Sequence, residues 1–101
     1  MISDVIQKNG TFYVLNEQGK EISHKWETSL GELIGYTGSF ILFRRNGTYY
    51  VYDDRLSEIA HKWESSLGTF RNMAGNSINF SRNRTIYTYD CNLREISHRW
   101  E

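Results

Sequence analysis

The stretch Glu21-Ile22-Ser23-His24-Lys25-Trp26-Glu27 decides how this chain is built. It returns as Glu58-Ile59-Ala60-His61-Lys62-Trp63-Glu64 and again as Glu95-Ile96-Ser97-His98-Arg99-Trp100-Glu101. Trp26, Trp63 and Trp100 stand 37 residues apart, so the chain is three copies of one unit, at about 1–27, 28–64 and 65–101. A fixed period in this range marks a repeat architecture, in which units stack to share a core. At 101 residues the three units form one domain.

Side chains alternate along an extended strand. Alternation places Ile22, His24 and Trp26 on one face, expected in the core. Glu21, Ser23, Lys25 and Glu27 fall on the other, expected in solvent. Upstream lies a second strand-like run, Thr11-Phe12-Tyr13-Val14-Leu15, with copies Thr48-Tyr49-Tyr50-Val51-Tyr52 and Thr85-Ile86-Tyr87-Thr88-Tyr89. Its β-branched and aromatic content suits a pleated, half-buried surface. Upstream again, Ser39-Phe40-Ile41-Leu42-Phe43-Arg44 and Ser77-Ile78-Asn79-Phe80-Ser81 read as strands, with a weaker counterpart over residues 2–8.

The turns between these runs carry their own chemistry. Asn9-Gly10 and Asn46-Gly47 accept φ > 0 at both places, as a two-residue type I′ hairpin requires. The third copy reads Asn83-Arg84, and arginine tolerates that geometry poorly, so this turn is expected to be longer or strained. Asn16, Asp53 and Asp90 open the next turn, where an Asx side chain caps the backbone. Gly19 in that turn is replaced by Leu56 and Leu93. Each unit is thus a three-stranded antiparallel meander. The linkers, residues 28–38 and 65–75, match at Leu30-Gly31 and Leu67-Gly68. Their glycines argue against a lasting helix, and a loop with a short fourth strand near residues 33–36 is expected.

Composition narrows the function. Lys plus Arg equals Asp plus Glu at 12 each, so no net field draws in a nucleic acid, and none is expected as partner. No apolar run approaches the ~20 residues of a membrane-spanning helix. Met1 is not followed by a basic stretch and an apolar one, so no signal peptide is expected. Cys91 stands alone and cannot close an intrachain disulfide, which fits a reducing compartment. A cytoplasmic domain away from the membrane is the expectation. The sequons at Asn9, Asn46 and Asn83 are one feature copied three times, and turn chemistry accounts for them. No nucleophile elbow, phosphate loop or Cys-x-x-Cys occurs, so neither enzyme activity nor a cofactor is expected.

Candidate residues come from positions identical in all three units: Asn9, Thr11, Tyr13, Glu21, Ile22, His24, Trp26 and Glu27 with their copies. Ile22, Trp26, Ile59, Trp63, Ile96 and Trp100 are expected to form the shared core, since tryptophan supplies large buried area. If the units close about a pseudo-threefold axis, His24, His61 and His98 converge, and three imidazoles with a water make a Zn²⁺ site. The alternative is that each imidazole hydrogen-bonds a nearby carbonyl or Glu. Strict alternation separates Glu21 from His24, so that pairing would have to cross between units. Tyr13, Tyr50 and Tyr87, with Tyr52 and Tyr89, offer a stacking surface for a ligand, core filling being the competing role. Arg44, Arg45, Arg82 and Arg84 read as scattered surface charge.

The run from Asn9 to Ile22 resembles the hairpin of propeller-type repeats, including WG repeats: a strand, a tight Asn-Gly turn, a strand, then Gly19-Lys20-Glu21-Ile22. That family's Trp-Gly pair is missing. A fainter likeness is to β-prism mannose-binding lectins, built of three units of similar size. In the frame of their sugar motif only Gln7, Tyr52 and Tyr89 agree, so mannose binding is not carried over.

The expected fold is all-β, three meanders in a pseudo-threefold closed domain like a β-prism or trefoil. The alternative is three propeller blades, completed to six in a homodimer because three lie below the usual four to eight. The expected function is a non-enzymatic module that binds a protein or carbohydrate through its repeated loops. The alternative is a small metal-binding protein with the histidine trio at its axis.

Overall fold

A computed structural model describes residues 1–100; Glu101, the third copy of Glu27 and Glu64, lies outside the described residues. The chain is all-β, and the meander predicted for each unit is the one adopted. β1 (Asp4–Lys8), β2 (Thr11–Leu15) and β3 (Glu21–Trp26) form a first sheet. β4 (Glu32–Tyr36), β5 (Ile41–Arg45), β6 (Thr48–Tyr52) and β7 (Glu58–Trp63) form a second. β8 (Thr69–Ala74), β9 (Ser77–Arg82), β10 (Thr85–Asp90) and β11 (Glu95–Trp100) form a third. All pairings are antiparallel between neighbours in the chain.

The turns follow their residues. Asn9, Asn46 and Asn83 all have φ of 51–52°, and Arg84 is held at 62°. The third hairpin therefore keeps its two-residue turn with an arginine in a left-handed place. In the following turn one Asx oxygen accepts two backbone N–H groups in every unit, as Asp53 Oδ1 does from Arg55 and Ser57, each at 2.9 Å.

The linkers open with a single helical turn, α1 (Glu27–Leu30) and α2 (Glu64–Leu67), before the fourth strand. Each turn exists to seat one leucine: Leu30 and Leu67 are fully buried. It stops at glycine because the chain there presses on β5. A Cβ on Gly31 would lie 2.6 Å from the Arg44 carbonyl oxygen, with φ at +94°.

The sheets stack in a row and share two cores, and among the described residues no barrel closes. Val5, Phe12 and Val14 of the first sheet pack on Ile41, Phe43 and Tyr52 of the second. The opposite face of the second sheet, Leu42, Tyr49 and Val51, packs on Ile78, Phe80 and Tyr89 of the third. Edge-to-face rings tie both layers: Phe12–Phe43 at 5.0 Å and Tyr49–Phe80 at 5.0 Å. Among the described residues, no core cluster joins the first sheet to the third. The molecule is accordingly elongated, 41 × 27 × 18 Å.

This row arrangement corrects the expected core. Trp26, Trp63 and Trp100 are 67, 66 and 83% exposed, not buried together. Each is the last residue of a sheet's free edge strand, where no common centre exists to receive it. Of the three isoleucines only Ile22 packs against a core; Ile59 and Ile96 are exposed.

Candidate functional site

The free edges β3, β7 and β11 carry the same surface three times. A register shift explains its composition. Between Val14 and Leu15 of β2 the partner jumps from Ser23 to Glu21, and the same bulge recurs opposite Val51/Tyr52 and Thr88/Tyr89. A bulge places two residues against one and breaks strict alternation. Ile22 is thereby turned toward the core, and Glu21 joins His24 on the opposite face.

The pairing that alternation placed across units therefore forms within each. His24 Nδ1 lies 2.7 Å from Glu21 Oε2, His61 Nδ1 2.7 Å from Glu58 Oε2, and His98 Nδ1 3.0 Å from Glu95 Oε2. On its other side each imidazole lies against a tyrosine ring of the adjoining strand: Tyr13–His24 at 5.8 Å, Tyr50–His61 at 5.5 Å, Tyr87–His98 at 5.8 Å. Thr11, Thr48 and Thr85, directly opposite the tryptophans, are buried beneath.

Cations frame the tyrosines. The Arg45 guanidinium carbon sits 4.5 Å from the Tyr50 ring centre, and Arg82 4.4 Å from that of Tyr87. Hydrogen bonding to the Tyr50 and Tyr87 hydroxyls raises the pKa of Arg45 and Arg82 further, so both stay charged. In the third unit Thr85, Tyr87, His98, Arg99 and Trp100 line an open cleft of about 340 Å³. The chemistry on offer is an exposed indole, a carboxylate-oriented imidazole and a half-buried phenol, which together can stack on a ligand and hydrogen-bond it.

The candidate residues divide accordingly. Tyr13, Tyr50 and Tyr87 are half-buried and belong to this surface. Tyr52 and Tyr89, each 5% exposed, are core residues, because the face they occupy is covered by the preceding sheet. The trio His24, His61 and His98 does not assemble: the units stand in a row, and each imidazole is engaged within its own sheet. Among the described residues, no group of three or more His, Cys, Asp or Glu is placed to hold a metal. The tryptophans were assigned to the core and are instead the most exposed part of the site. Their position at the end of a last strand, between charged neighbours, is the sequence signal that points outward.

Among the described residues, no helix is long and apolar enough to cross a membrane. No family model, no curated protein and no solved structure matches the chain.

Proposed function

We propose that this protein is a non-enzymatic binding module that recognises a protein or carbohydrate through the Trp–His–Tyr surface of its edge strands. One observation carries the reading. Even a buried position has diverged among the three units while this exposed surface has not. Phe12, Tyr49 and Ile86, all buried, occupy one such place. Glu21, His24 and Trp26 are identical in every copy although all are exposed. Folding constrains interiors more tightly than surfaces, so the reverse pattern supports selection for contact with a partner. The sheets stack at about 10 Å, which presents the three surfaces to one extended ligand and allows avidity. The lone free Cys91 supports a reducing, cytoplasmic setting for the module.

The test is tryptophan fluorescence titration of the intact chain with neutral oligosaccharides, acidic oligosaccharides and a peptide library. A ligand should perturb the indole emission, and Trp63→Ala with Trp100→Ala should lose binding while keeping the melting temperature. Undiminished binding by that double variant would remove the surface from consideration.

A further inference from the structure

The opposite side of the molecule holds a second feature, independent of that reading. β5 pairs with strands on both sides, β4 and β6, and β9 does so with β8 and β10. Among the described residues β1, their copy in the first sheet, pairs with β2 alone. The first sheet also has no sheet packed on its other face: Phe43 and Phe80 are fully buried against the preceding sheet, whereas Ile6 in the same place is 38% exposed.

The open edge has the backbone of a docking strand. In the second sheet Leu42 lies opposite Gly35 of β4. Among the described residues its copy Val5 has no strand on that side, and its N–H donates to Asp4 Oδ1 at 2.9 Å. The Asp4 carboxylate also accepts from the Tyr36 hydroxyl at 2.9 Å. Asp4 thus occupies an amide that a neighbouring strand takes in the other sheets.

The chain also contains the template for what fits. β4 fills the same slot on β5, and β8 stacks against it: a Cβ on Gly35 would stand 2.8 Å from Met73 Sδ, while Ile34 packs into the second core. Repeating that stacking one sheet earlier puts a strand beside β1 and over β4. There its inward residue would cover Leu33, half-buried, and Tyr36, 37% exposed.

We propose that the free edge of β1 is a strand-addition site for an extended peptide built like β4. The peptide needs an aliphatic residue in the place of Ile34 and a small one in the place of Gly35. Backbone pairing supplies affinity in such sites and the alternate side chains supply specificity. Asp4 is the cover it displaces, in keeping with the use of charge to guard exposed edges.

The experiment titrates a synthetic peptide of residues 28–38 into the intact chain, followed by amide hydrogen exchange. Saturable one-to-one binding is expected, with exchange at Val5 and Gln7 slowed by about tenfold or more. Ile34→Arg in the peptide should abolish it, as should N-methylation of the peptide's pairing amides. Asp4→Ala in the protein, an exposed change that leaves the core intact, should tighten binding several-fold. Absence of saturation, or protection confined to β3, β7 and β11, would overturn the proposal. So would protection of Val5 and Gln7 that grows with protein concentration before peptide is added, because a second copy would then be the occupant.

Discussion

Thr88 donates its hydroxyl to Asn79 Oδ1 at 2.6 Å, and Asn79 in turn donates to Asn72 Oδ1 at 2.8 Å, across the outer face of the third sheet. In the second sheet the places of Asn79 and Thr88 are taken by Leu42 and Val51, both fully buried under the next sheet. A stacked array needs a polar outer face wherever a sheet meets solvent. These three side chains provide it by satisfying one another where an apolar face would invite another sheet.

Replacing that network should therefore make the end of the array adhesive. Asn79→Leu with Thr88→Val is expected to convert the chain to a concentration-dependent oligomer, read by sedimentation velocity. The single variants should act less, since each keeps one of the two polar side chains on the face. A double variant that sediments as the parent does would show that the polar face is not what keeps copies apart.

Leu56 sits at φ +58° with its side chain fully buried in the first core, in the turn where Gly19 has φ +75°. The left-handed backbone costs a non-glycine residue about 1–2 kcal/mol, and burying a leucine recovers more, since truncation to alanine costs about 2–5 kcal/mol. Leu56→Gly should thus destabilise by about 2 kcal/mol in urea unfolding, the difference of the centres of those two ranges. Gly19→Leu should also destabilise, by about 1 kcal/mol, because nothing lies within 4 Å of a Cβ at Gly19 to reward the strain. Stabilisation by either change would contradict this account.

Arg44 and Glu64 clamp β5 to the start of α2, with Nε and Nη2 donating at 2.7 and 3.1 Å. Hydrogen bonding from Arg44, helped by its charge, holds the Glu64 carboxyl below its ordinary value. A carboxyl depressed in the folded state contributes stability above its unfolded pKa and loses it as pH falls through the folded one. Glu64→Gln should therefore be less stable than the parent near neutral pH. The gap between their urea midpoints should close as pH falls below the ordinary carboxylate value of about 4.3. A gap independent of pH would assign the effect to packing.

How much of this could be read from residues depends on whether the cause is local. The hairpin turn at Asn46-Gly47, the Asx cap at Asp53 and the strand at Thr48–Tyr52 follow from properties of the residues themselves, and each is found where it was expected. The exposure of Trp63 and the burial of Tyr52 do not, because both depend on which sheet covers which face. Hydrophobicity alone sent the tryptophans inward. The Glu21–His24 contact was hidden by a single bulge, which reverses the face of every residue beyond it. Four-residue turns such as α1 are set by the seat awaiting Leu30 in the core and carry little periodic signal.

Arg84 gives the most direct check on the turn reading. It occupies φ +62° after Asn83, in the place that Gly47 fills at +73°. The two-residue turn is imposed by the flanking pair Arg82–Thr85 and by the register of β9 on β10, so the arginine accepts the strain instead of lengthening the loop. Arg84→Gly should stabilise the chain by about 1 kcal/mol, and Gly47→Arg should cost about as much. Both are read as shifts in the urea midpoint at constant slope. Because Gly47 has nothing within 4 Å of a built Cβ, contact with neighbours cannot account for its share. If Arg84→Gly leaves the midpoint unmoved, some interaction of the arginine side chain must be offsetting the backbone term. Arg84→Ala, which keeps the strain and removes the side chain, would then lower it.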